Sequence, residues 1–232
     1  MSATPSFSPI RWFATALYAA AWPALMFVLA GDWRWREGWI FAVWFLTLCT
    51  TVTIWLYRND PALLAERYRR PGSGGQRTWD RLWVYAIGLT WLAWVVLMPL
   101  DSRRFRWTPP FAPWLQASGV VLLLASFFLF FRAFKDNTFL SPLVRLQAER
   151  KHRVVTTGAY AVVRHPMYLG ACLMFVGAPL LLGSGIGLGL GALTMLLLAL
   201  RIVGEERLLE RELEGYAEYK KTVRFRLIPL VW

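Results

Sequence analysis

The residues able to do chemistry crowd into two polar segments, 145–170 and 201–229, and the only two histidines, His152 and His165, both lie in the first. In the second, Arg201 and Glu205 are four positions apart and share one face of a helix. Routine i,i+4 ion pairs on a solvated helix account for such charges taken alone. The neighbouring pair Glu205-Glu206 is different: two adjacent acids repel each other, gain nothing from anionic lipid, and suit a cationic ligand. In the first segment, Arg164-His165-Pro166 precedes Tyr168 and Gly170. Proline is well placed in the first turn of a helix, which puts His165 at the cap. An interfacial anchor of Arg, His and Tyr is the plainer reading of those residues.

The elements that position these segments follow from hydropathy. The 232 residues are 57% hydrophobic and 17% charged, with mean hydropathy +0.41, which excludes a disordered, fibrous or ordinary soluble chain. Spanning a bilayer takes about 20 apolar residues. Four uncharged runs fit one span each: Trp12–Ala30, Gly38–Tyr57, Leu82–Leu100 and Trp107–Phe131, the last starting as a helix near Trp114 because of its prolines. The run Pro166–Leu200 is too long for one span, and Gly183-Ser184-Gly185 near its middle predicts a tight hairpin of helices at about 166–182 and 186–203. Gly187 and Gly191 then serve close helix packing and not phosphate binding, since no Lys-Ser/Thr follows them.

The expected fold is therefore an all-α, polytopic membrane bundle of about six helices, with a C-terminal helical hairpin and a cytoplasmic cofactor pocket. It divides into an N-terminal part, 1–134, and a C-terminal part, 135–232, of one integral domain. Net charge is +12, and 21 of the 26 basic residues fall on the side that would hold both termini, so the positive-inside rule makes that side cytoplasmic. The first ten residues lack a basic n-region, which reads as a retained first helix. Only four of the basic residues are Lys, a composition pointing to a GC-rich bacterial genome and hence to a bacterial inner membrane. Trp12, Trp39, Trp83, Trp107 and Trp114 sit at run ends as an interfacial belt. Cys49 and Cys172 read as small hydrophobes. Neither a metal site nor nucleic-acid binding is expected.

The stretch Thr156-Thr157-Gly158-Ala159-Tyr160, then Arg164-His165-Pro166-Met167-Tyr168-Leu169-Gly170, then Glu205-Glu206 and Tyr216-x-x-Tyr219, resembles the isoprenylcysteine carboxyl methyltransferase and phospholipid methyltransferase family. These are integral membrane enzymes that use S-adenosylmethionine. The resemblance covers about Gln147 to Pro229. It implies a cofactor pocket formed by Gln147, His152, Arg153, Val154, Val155, Tyr160, His165, Pro166, Met167, Tyr168 and Glu205, with Arg201 as the catalytic and substrate-binding residue. The implied partners are membrane lipids and a lipidic, amphiphilic or prenylated acceptor.

The implied chemistry is in-line methyl displacement from a sulfonium, in which positioning supplies much of the rate. Glu205 suits the cofactor's ammonium, and Arg201 an anionic group gripped by two hydrogen bonds. A carboxylate acceptor needs no base, which favours O-methylation. Two alternatives are N-methylation of a phospholipid amine and a membrane reductase of the sterol-reductase type using a nicotinamide cofactor. A scaffold that has kept only the family's shell is the non-enzymatic reading.

Overall fold

A computed structural model describes residues 9–232, with the side chains of Pro9 and Arg11 left aside. The start of the chain before Pro9, and with it the reading of the N-terminus as retained, lies outside the described residues. The described chain holds helices α1 (Pro9–Ala30), α2 (Arg36–Asn59), α3 (Pro61–Arg67), α4 (Thr78–Pro99), α5 (Pro113–Asp136), α6 (Pro166–Leu182), α7 (Gly185–Glu212) and α8 (Tyr216–Thr222), with no strand among the described residues. Five helices are long and apolar enough to cross a membrane, and α6, at 17 residues, is a shorter apolar helix. The all-helical polytopic bundle expected from hydropathy is the fold observed.

The hairpin is where the glycine spacing put it. Gly183 ends α6 in the left-handed region at φ 77°, and the Ser184 hydroxyl caps α7 by accepting from Gly187 N. The turn is tied down by Asp101, which is fully buried in a π-helical turn, Leu100–Arg104, after α4. Its carboxylate accepts from Thr108 N and Oγ1, both at 2.9 Å, from Ser184 Oγ at 2.6 Å and from Ile186 N at 3.1 Å.

Close packing builds the centre. A Cβ on Gly119 of α5 would stand 2.6 Å from the Gly177 carbonyl oxygen of α6, and one on Gly191 of α7 would stand 2.5 Å from that of Phe175. These helices therefore approach backbone to backbone, as small residues in membrane interfaces allow. The Ser126 hydroxyl donates to Gly170 O across the α5–α6 seam at 2.7 Å, and Trp44 Nε1 ties α2 to α5 through Leu123 O at 2.7 Å.

Between the apolar runs Gly38–Tyr57 and Leu82–Leu100 hydropathy predicts no element, and α3 lies there. Asp60 caps that helix by accepting from Leu63 N at 2.9 Å, and Pro61 opens its first turn. Leu63 and Leu64 are buried with Leu56, packed by Phe134 and Leu140. A helix of seven residues, about two turns, is too short to register as an apolar run.

Candidate functional site

The site begins with residues 137–165, a strap between α5 and α6 with only two short 3₁₀ turns. With so little regular structure of its own, the strap takes its course from side-chain ties. Arg145 pairs with Glu66 of α3 through Nε at 2.9 Å and Nη2 at 3.0 Å, and Val144 N donates to Asp80 of α4 at 2.8 Å. Gly158 has φ 62°, and a Cβ there would stand 2.1 Å from the Asp136 carboxylate, which accepts from Ala159 N at 2.8 Å. That contact sets the turn that carries Tyr160.

The strap closes over a solvent-open cavity, walled on its other sides by the first turn of α6, the polar C-terminal part of α7 and α8. Of the residues implied by the sequence, His152, Arg153, Val154, Val155, Tyr160, His165, Met167, Tyr168 and Glu205 line it. The structure thus brings together residues from three elements that span more than fifty positions.

Three expected residues do not line the cavity. Gln147 is fully buried within the strap, its Nε2 donating to Phe139 O at 2.6 Å and its Oε1 accepting from Arg150 at 2.7 Å. Pro166 opens α6. Arg201 donates from Nε to Asp80 Oδ1 at 2.8 Å, from Nη1 to the Tyr168 hydroxyl at 2.5 Å and from Nη2 to Pro142 O at 2.9 Å. It reaches the cavity only through Tyr168, whose hydroxyl donates to Glu205 Oε2 at 2.9 Å.

The acidic pair divides. Glu205 lines the cavity. Glu206 is 2% exposed and enclosed: Oε1 accepts from Arg164 Nε at 2.6 Å and lies 3.2 Å from His165 Nε2, and Oε2 accepts from Arg226 Nε at 2.8 Å. Arg164 also donates to the carbonyls of Val223 and Arg224, at 2.7 and 2.8 Å. The Arg-His-Pro motif therefore anchors the C-terminal tail to α7 and sets His165 at the cavity edge as the cap of α6.

Two polar atoms of the lining residues are sealed from solvent: His152 Nδ1, which has no partner, and the Tyr160 hydroxyl, which interacts with Asn137. The His152 ring lies against Phe139 at 4.6 Å between centroids. Burial, and then Arg150 and Arg145, push its pKa down to about 4, so it is neutral at pH 7 and can donate or accept at Nδ1. Burial pushes Tyr160 well above the ordinary phenol range, so its hydroxyl keeps its proton. Tyr219, which donates to Tyr160 O at 2.7 Å, and Tyr216 beside it close the far wall.

Sequence reasoning missed Asp80, Asn137 and Phe139. Asp80 is fully buried and also accepts from Gln76 at 2.7 Å. Its one signal was an acid in the first turn of a membrane helix.

Residues 114–214 match the model of a family described as phospholipid methyltransferase. The matched stretch runs from α5 through the strap and hairpin to the end of α7, and holds most of the cavity wall. No curated protein matches the chain.

Proposed function

We propose, for a chain whose residues 114–214 belong to the phospholipid methyltransferase family of membrane methyltransferases, that the cavity binds S-adenosylmethionine and that the methyl group goes to a lipidic or amphiphilic acceptor. The observation that carries this is the cavity's polar complement. One carboxylate, Glu205, whose single hydrogen bond comes from Tyr168, lines the cavity together with His152 and Tyr160. A zwitterionic nucleoside with an ammonium, hydroxyls and ring nitrogens suits that set.

Bound there, S-adenosylmethionine supplies an electrophilic methyl on a sulfonium. Glu205 holds the ammonium, with Tyr168 donating to its other oxygen. His152 and Tyr160 hold polar edges, and Val154, Val155 and Met167 exclude water. Arg201 fixes the Tyr168 hydroxyl, and Gln147 ties the strap to itself through Phe139 and Arg150. A carboxylate oxygen is the favoured nucleophile, because it needs no base, whereas an ammonium must first lose a proton and His152 is too weak a base to take it. Both termini are assigned to the cytoplasm of a bacterial inner membrane, on the basic asymmetry of the loops.

The test has two arms. Calorimetry of the purified chain with S-adenosylhomocysteine should give binding that Glu205→Gln weakens by about 10- to 150-fold, the range for losing a charge-assisted hydrogen bond. Incubation with methyl-labelled cofactor and total lipid extract should label a lipid identified by mass. No cofactor binding by the folded chain would sink the reading, whereas binding of a reduced nicotinamide would replace it with the reductase.

A further inference from the structure

Helices α4 and α7 lie side by side, joined inside the bundle by Asp80 and Arg201. On the outside, where α7 leaves its apolar run, an open groove separates them. Trp79 and Trp83 of α4 form one side, and Leu200, Val203, Arg207 and Arg211 of α7 form the other. No residue lines both this groove and the cavity under the strap.

Gly204 sets the groove's shape. A Cβ there would stand 2.7 Å from the Trp79 ring, so the indole rests directly against the α7 backbone while staying exposed. Positions 200, 203, 207 and 211 recur at helical spacing and share one face of α7. That face changes character along its length, from two aliphatic side chains to two guanidinium groups, with two indoles alongside. Indoles favour the boundary between apolar chains and headgroups.

The charge in the groove is one-sided. Glu212 also lines it, but that acid is taken by Arg77. Glu210, three positions from Arg207, is taken by Lys220 at 2.7 Å. Arg207 and Arg211 are exposed, and neither forms an ion pair or hydrogen bond among the described residues. Like charges four apart on a helix repel, and an anion bridging them removes that repulsion. Guanidinium forks suit phosphate oxygens. A soluble phosphate would leave the aliphatic half of the groove unused, and a zwitterionic headgroup would bring a further cation to a place that already holds two.

We propose that the α4–α7 groove is a seat for an anionic phospholipid, its phosphate held by Arg207 and Arg211 and one acyl chain lying along Leu200 and Val203. A lipid so seated clamps α4 to α7 from outside. The site rests on the membrane-spanning fold and not on the methyltransferase reading.

The test uses the full chain in a neutral detergent, titrated with phosphatidylglycerol and phosphatidylcholine of the same acyl chains. Native mass spectrometry counts bound lipid, and melting temperature is followed in parallel. Wild type should bind its first phosphatidylglycerol at least about tenfold more tightly than phosphatidylcholine, and should melt higher with it, as binding to the folded state requires. Arg207→Gln with Arg211→Gln should weaken phosphatidylglycerol by about 25-fold, about fivefold for each basic residue at an anionic surface. The same pair of changes should abolish the thermal gain and leave phosphatidylcholine unchanged. Should the double variant not fold, each single change should cost about fivefold. Arg58→Gln with Arg70→Gln removes two exposed cations outside the groove and should keep the preference. Glycerol 3-phosphate at the lipid's concentration should not displace it. A preference absent from wild type, or surviving the loss of Arg207 and Arg211, overturns the proposal. An equal loss in the Arg58 and Arg70 variant means a diffuse positive surface instead of a seat, and displacement by glycerol 3-phosphate means a soluble anion; either result overturns it too.

Discussion

Arg201 of α7 and Asp80 of α4 form a buried ion pair, Nε to Oδ1 at 2.8 Å, between residues 5% and 0% exposed. Each is also bonded elsewhere, Asp80 to Gln76 and Val144 N, Arg201 to Tyr168 and Pro142 O. A pair so enclosed is costly to break from one side, by about 3–5 kcal/mol, because the other charge stays buried. Asp80→Ala should therefore lose about that much unfolding free energy. Arg201→Met in the Asp80→Ala background should cost far less than the sum of the single changes. Chemical denaturation of the four proteins in one detergent measures the coupling, and additive losses would mean that the two residues stabilise the fold independently.

Glu205 and Glu206 are neighbours in sequence with opposite surroundings, and their variants should part accordingly. Glu205→Gln should weaken cofactor binding and barely move the melting temperature. Glu206→Gln should do the reverse, since it leaves Arg164 and Arg226 facing a neutral amide and loosens the tail that Arg164 anchors. A loss of about 3 kcal/mol or more is expected for Glu206→Gln. Paired melting and cofactor-binding measurements on both variants check this, and equal effects would mean that the two acids do not divide the work.

The spans were legible because each is an uncharged run long enough to cross a bilayer, and the hairpin because 35 such residues cannot form one span. The motif residues lining the cavity were legible as a group, Tyr160 to Tyr168 and then Glu205. The pairings between elements were not. Spacing fixes which residues share a face of one helix, as with Arg201 and Glu205, but not the rotation of that helix against another. Asp80 lies 121 positions from Arg201, and no local pattern connects them. The strap was illegible for a related reason: its course depends on Arg145 meeting Glu66, 79 positions away, and not on any period of its own.

Acid should destabilise the protein partly through His152. Its pKa is about 4 in the folded chain against an ordinary 6.5. Between those values the unfolded chain binds a proton that the folded chain does not, so stability is complete above about pH 6.5 and falls as pH drops toward 4. Glu66, held down to about 2 by Arg145, Ser141 and Arg69 against its burial, adds a second loss that starts only below about pH 4.5. Melting temperature followed from pH 7.5 to 4.5 should therefore decline in wild type and decline less in His152→Asn. Parallel curves would show that His152 does not contribute.

Asp101 makes the last prediction, at the other end of the hairpin. Its two oxygens take four donors from Thr108, Ser184 and Ile186, so with the Gly185 N to Thr108 Oγ1 bond it joins the turn after α4 to the turn between α6 and α7. Asp101→Ala would leave those donors without acceptors in an apolar setting, at about 1–3 kcal/mol for each one that water does not reach. The expected loss is about 3–5 kcal/mol. Ser184→Ala, which removes one donor to Asp101 and one acceptor for Gly187 N, should cost about 1–2 kcal/mol. Glu205 lies 21 residues along α7 from Ser184, about 31 Å at the helical rise, so cofactor affinity of either folded variant should match wild type. Denaturation and cofactor titration of both variants test the two halves together. A large loss of cofactor affinity in folded Asp101→Ala would mean that the hairpin turn and the cavity are coupled through α7, and that the turn is more than a structural clamp.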